Sequence, residues 1–270
     1  DETFEALERN KERIKIISRE RIADELNKIL LSPVPSKGFI DLERSGLLAL
    51  IFPELMELQG VETRNGRAHK DNFYHTLEVL DNISRHTDNL WLRWAALLHD
   101  IAKPLCRSVG PDGAAHFKGH NQRGAQLARV ILRRLKAPAY LVDGAVGLIA
   151  VHDAPLPADD VGILKLLNRS GAIFLRRLCA LKYADLDAHA NTPEVAARRA
   201  DVAAFERRMN ELAKTGCYTM RQLAVNGADL MDIGIPAGPG VGATLQTLLN
   251  DVMEGTLPNE REALLAAAVK

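Results

Sequence analysis

The sequence predicts an all-α protein: a multi-helix bundle with an N-terminal helical neck and a C-terminal helical tail. Three observations carry this. Leucine, alanine, arginine and glutamate are abundant while β-branched runs are few. Apolar residues recur at helical spacing through most of the chain, and Ser, Asp, Gly and Pro fall where such runs begin and end. With 270 residues, 47% hydrophobic, there is enough apolar surface for one large core or two smaller ones.

Residues 2 to about 17 read as a charged amphipathic helix whose apolar side holds Phe4, Leu7, Ile14 and Ile17. Ser18 caps a second helix through Leu31, which Pro33 and Pro35 end. A short helix from Ser36 to Arg44 closes on Gly46, and the apolar stretch Leu47 to Leu58 turns a corner at Pro53. Gln59 to Lys70 is polar and glycine-bearing, a loop. Asp71 starts a helix to about Ser84 that carries His75, and a further helix over Asn89 to Ala102 carries His99 and Asp100. Pro104 ends that helix, and Arg107 to Gly119 reads as a hairpin or mobile loop. Asn121 to Lys136 follows, with His120 at its beginning; Ala139 to Val151 delivers His152 at its end. Beyond the Pro155–Pro157 turn come helices at 160–168, from Ser170 to Ala188 with Asp185, and from Pro193 to Lys214. Two terminal helices at 242–253 and 259–268 complete the tail. The expected division is a neck over 1–58, a central domain over 59–190 and a tail over 191–270.

Formal net charge is zero, which argues against a generally basic, nucleic-acid-coating protein while allowing a local basic face. Cys106, Cys179 and Cys217 are scattered, with no CxxC spacing, so disulfides and a zinc–thiolate site are not expected and a cytoplasmic location is. No apolar run has the length of a membrane span. The first residue is Asp1 rather than Met, as in a fragment of a longer chain.

The chemistry concentrates at Leu97-Leu98-His99-Asp100-Ile101-Ala102-Lys103, where two metal-ligand side chains stand side by side in an apolar stretch. A histidine and a carboxylate are costly to bury unless paired or bound to a metal. Adjacent helical side chains point about 100° apart, so the pair suits a centre of two ions better than chelation of one. Further candidates interrupt or end apolar runs on other helices: His75, His120, His152 and Asp185. His69, His86, His116 and His189 are expected to be ordinary solvated or structural histidines, and Asp153 and Asp187 rival acids. The pairs Arg133-Arg134, Arg176-Arg177, Arg198-Arg199 and Arg207-Arg208 read as solvated helix faces. Gly238-Pro239-Gly240 lacks the Walker lysine and threonine and reads as a turn into a helix.

His75, His99-Asp100 with Lys103, and Asp185 together resemble the HD superfamily of metal-dependent phosphohydrolases. His120 and His152 resemble its dinuclear branch; Ala102 stands where many members have glycine. A second resemblance covers most of the chain. The neck (Ile16-Ile17-Ser18 to Pro33, Gly46-Leu47-Leu48, Phe52-Pro53-Glu54-Leu55), Phe117-Lys118-Gly119-His120, and the tail (Asn226-Gly227, Gly238-Pro239-Gly240, Glu254-Gly255 to Asn259-Glu260) are similar to bacterial CCA-adding tRNA nucleotidyltransferases and poly(A) polymerases. No glycine-rich strand-turn with the Asp-x-Asp metal pair of a nucleotidyltransferase head is present, so this chain alone is not expected to add nucleotides.

The resemblance implies His75, His99, Asp100 and Asp185 at one divalent ion and Asp100, His120 and His152 at a second, with Asp100 bridging. Mn, Fe, Ni, Co and Mg all suit imidazole and carboxylate ligands without thiolate. Lys103, one turn beyond His99, and Arg123, one turn beyond His120, are expected to neutralise phosphate on a phosphate-ester or nucleotide substrate such as a 2′,3′-cyclic phosphate. Two other readings stand beside this hydrolase. One is a tRNA-binding body in which the metal site is secondary; the other is a di-iron oxygenase, which uses the same ligand order.

Overall fold

In the computed structural model the described residues are 2–60, 63–64, 67–68, 71–111, 113 and 115–269. They form an all-α protein with only two small antiparallel ladders, Thr63–Arg64 with Arg67–Ala68 and Ser108–Val109 with Ala115–His116. The second ladder is the expected hairpin. The first lies inside the stretch read as a loop, where His69 falls outside the described residues.

The chain divides into two compact units, Asp1–Ala154 with Arg177–Arg198, and Pro155–Arg176 with Arg199–Lys270. The first holds every sequence-predicted site residue. Its neck begins with helix Glu2–Asn10, shorter than expected, because the Asn10 side chain donates to the Ala6 carbonyl and the chain continues as a 3-10 turn over Lys11–Ile16. Ser18 caps helix Arg19–Leu30 by accepting from the Arg21 amide, as expected. Helices Pro35–Arg44, Leu47–Ile51 and Pro53–Met56 follow, Gly46 taking the left-handed turn between them at φ 72°.

Helices Asn72–Ser84 and Leu90–Leu98 are started by Asp71 and Asn89, whose side chains accept from the Phe73 and Leu92 amides. The second stops earlier than predicted. Residues 99–102 form a turn and Lys103–Cys106 opens a new short helix with Pro104 near its start, where a missing N–H leaves nothing unpaired. Helices His120–Arg134 and Ala139–Val151 pack on each other and the latter also on Leu90–Leu98. At Gly144 the approach is close enough that an added Cβ would stand 2.7 Å from the Trp91 ring.

Arg93 is buried to 1% exposure inside this unit. Its guanidinium donates to the carbonyls of Leu30, Ser32, Ser84 and Thr87 and to the Asp88 carboxylate, saturating carbonyls at the ends of two helices.

The helical run Asp160–Asp187 is broken at Gly171 (φ 74°, ψ 154°), where two helices had been expected. Helix Pro193–Thr215 runs as predicted. In the second unit the tail core gathers Leu223, Val225, Leu230, Leu248, Leu249, Met253 and Leu264. It includes a helix not foreseen, Gly227–Asp232, held by a capping box between Asn226 and Asp229. The paired arginines are mostly exposed, as expected, but some of them have partners. Arg134 makes a two-pronged ion pair with Glu54 at 2.6 and 2.8 Å, Arg177 lies over the Trp91 ring, and Arg208 pairs with Asp160 and Glu211.

Candidate metal centre

Three histidines reach the site by one local device. His99 and His152 sit just past the last turn of their helices, and His120 opens its helix after Gly119, whose φ of 80° needs a glycine. In each ring Nδ1 lies 2.8 to 2.9 Å from the carbonyl three residues earlier, Ala96, Phe117 and Ile149 respectively. A carbonyl can only accept, so Nδ1 carries the proton and Nε2 presents its lone pair inward. Ala102 takes φ −99°, ψ 6°, a conformation open to any residue, so the alanine in place of glycine causes no strain.

The Nε2 atoms converge on two carboxylates. Asp100 Oδ2 lies 3.1 Å from His99, and Oδ1 lies 3.3 Å from His120 and 3.7 Å from His152. Asp185 Oδ1 is 3.0 Å from His75 and 3.7 Å from His99. Asp100, His75, His99, His120 and His152 are all buried. They fall into groups able to hold an ion: His75, His99 and Asp100; Asp100, His120 and His152; and His75, Asp185 and His189. The first two share Asp100, each using its own carboxylate oxygen.

The donor set fits cations. His99 Nε2 is buried and makes no hydrogen bond among the described residues, although two carboxylates crowd it. Ligands of one ion at about 2.1 Å stand roughly 3.0 Å apart when adjacent and 4.2 Å when opposite, and the separations above lie in that range. Electrostatics point the same way. Burial works against charge on His99, but Asp100 and Asp185 outweigh it and raise its pKa to about 10. His120 is raised too, Asp100 again outweighing burial. Burial opposes ionisation of Asp100, yet His99 and Lys103 hold it well below the ordinary carboxylate range; His75 and His99 do the same for Asp185. The pocket asks for positive charge.

Lys103 Nζ lies 2.6 Å from Asp100 Oδ2 and over the Phe117 ring, on the wall of a cavity of about 600 Å³. Arg123 is exposed and is not among the described residues lining that cavity, which counts against its expected part in phosphate binding. The cavity wall instead includes Lys118, Asn121, Asp153, His189 and Arg198. His189, expected to be an ordinary histidine, lies on this wall four residues beyond Asp185.

The family described as HD domain matches residues 72–185, the family "Probable RNA and SrmB- binding site of polymerase A" matches 1–58, and "tRNA nucleotidyltransferase domain 2 putative" matches 186–268. The A-adding tRNA nucleotidyltransferase of Deinococcus radiodurans is 38% identical over 250 residues, covering 90% of this chain and 56% of that protein. The CC-adding tRNA nucleotidyltransferase of Thermus thermophilus is 35% identical over 258 residues, 91% of this chain and 55% of that protein. A "Multifunctional CCA protein" of Nitrosococcus oceani is 34% identical over 157 residues, 57% of this chain and 38% of its own length. The chain thus spans about half the length of the first two relatives. It is built on an HD domain and is related, over the part it spans, to the bacterial tRNA nucleotidyltransferases.

Proposed function

We propose that the protein is a metal-dependent phosphohydrolase or phosphodiesterase of the HD type, acting on a nucleotide or 2′,3′-cyclic phosphate. The observation that carries this reading is the sharing of Asp100 between two buried histidine clusters. Divalent ions bound there lower the pKa of water from 15.7 to about 7 and neutralise phosphoryl charge. The chain's own part is to hold lone pairs in place. His99, His120 and His152 are fixed by the carbonyls behind them, and Asp100 presents one oxygen to each side. Lys103, whose ammonium lies at the cavity wall, supplies a positive charge to a phosphate there. The division into neck 1–58, HD domain 59–190 and tail 191–270, and a cytoplasmic location, belong to the same proposal.

A second reading is favoured by the RNA-binding match over 1–58 and the tRNA-enzyme relatives: the body holds tRNA, and its metal site is secondary. One experiment separates them. A panel of phosphate mono- and diesters is assayed with Mn, Ni, Co and Mg for wild type and Asp100→Ala. Hydrolysis lost in the variant as a fall in kcat supports the hydrolase. No hydrolysis of any ester with any of these metals, with tRNA still bound, overturns it.

A further inference from the structure

We propose that His189 is a further ligand of the ion held by His75, His99 and the two carboxylates, an inference that rests on the metal-centre reading above. Helix Asp160–Asp187 ends two residues earlier, and the chain turns so that the His189 amide donates to the Leu186 carbonyl. This places the ring against the site. Its face stacks on His75 with centroids 4.7 Å apart and planes inclined by 28°, and it forms part of the cavity wall. His189 Nε2 lies 4.0 Å from Asp185 Oδ1. That gap is beyond hydrogen-bond range, which ends at about 3.2 Å for N–H···O. It is close to the roughly 4.2 Å expected of two ligands facing each other across one ion. His75, Asp185 and His189 offer ligand atoms within 4.8 Å of one another. Asp185 Oδ1 is therefore approached by His75 at 3.0 Å, His99 at 3.7 Å and His189 at 4.0 Å, all within the span of a single coordination sphere.

The two ions then differ in kind. One has three imidazoles, from His75, His99 and His189, beside its carboxylates; the other has two, from His120 and His152. More imidazole favours Co, Ni or Fe over Mg at the first position. Since the side chain is 35% exposed, His189 is also the ligand most open to replacement by a substrate oxygen.

The test needs no turnover. The intact chain is loaded with cobalt, and exchangeable imidazole N–H resonances shifted by the paramagnetic ion are counted by NMR alongside cobalt titrations. His189→Ala and His189→Gln should each retain two cobalt ions, lose one shifted resonance, and bind one ion about tenfold or more weaker, the scale seen even for residues that only support ligands. Unchanged resonances and affinity in both variants overturn the inference while leaving the centre intact. A wild-type chain that takes up three ions and a variant that takes up two would also overturn it, by showing a separate third site. A wild-type chain that binds no cobalt sinks the metal-centre reading itself, and this inference with it.

Discussion

The Nε2 atoms of His120 and His152 stand 3.2 Å apart, while each ring turns its Nδ1 to a backbone carbonyl. With both protons committed to carbonyls, two lone pairs face each other across that gap, beside Asp100 Oδ1. A proton or a cation must lie between them.

If that cation is a metal ion, the two halves of the centre are separable. His120→Ala or His152→Ala should remove about one of two equivalents of cobalt, read by metal analysis after dialysis. The ion beside His75 and Asp185 should stay. Loss of both ions, or of neither, would contradict the assignment of these two histidines to their own site.

The 270-residue chain should incorporate neither CMP nor AMP into tRNA when supplied with CTP and ATP, since it carries no strand-turn with an Asp-x-Asp pair of the nucleotidyltransferase kind. Labelled nucleotide appearing in tRNA with this polypeptide alone would refute the expectation.

Glu54→Gln should lower stability at pH 7 by about 1–2 kcal/mol, because it breaks a two-pronged charged pair with Arg134 that is only partly screened by solvent. Burial alone would raise the Glu54 pKa, but the Arg134 hydrogen bond carries it below the usual 4.5. A carboxylate with a depressed folded pKa stabilises fully above its unfolded value, and the contribution fades as pH falls through the folded one. Urea unfolding of wild type and variant should therefore differ at pH 7, and the difference should shrink as pH falls below 4.5 through the lowered folded pKa. A difference that does not shrink at all as the solution is acidified would mean the pair's charge is not what the substitution removes.

The legible part of the site was the part written into helix ends. His99 and His152 close apolar runs, and a polar residue there marks a buried terminus whose carbonyls need donors. His189 follows Asp187 in a short polar stretch, Ala-His-Ala-Asn, where no apolar run frames it and only the spacing to Asp185 speaks. Arg123 stands one turn from His120 in the sequence, but its side chain is exposed and is not among the described residues lining the cavity. The arginine pairs showed their charge in the sequence but not their partners: Glu54 and Arg134 are 80 residues apart, and Asp160 and Arg208 are 48 apart.

Arg93 bears on how this protein is partitioned. Family matches place a seam between residues 58 and 72, yet the guanidinium beyond that seam takes two of its acceptors, Leu30 and Ser32, from before it. Transplanting the HD part without its neck would leave a buried cation short of carbonyls, and grafting a foreign neck would require one whose helix ends in the same place. Ancestry divides the chain there; folding does not.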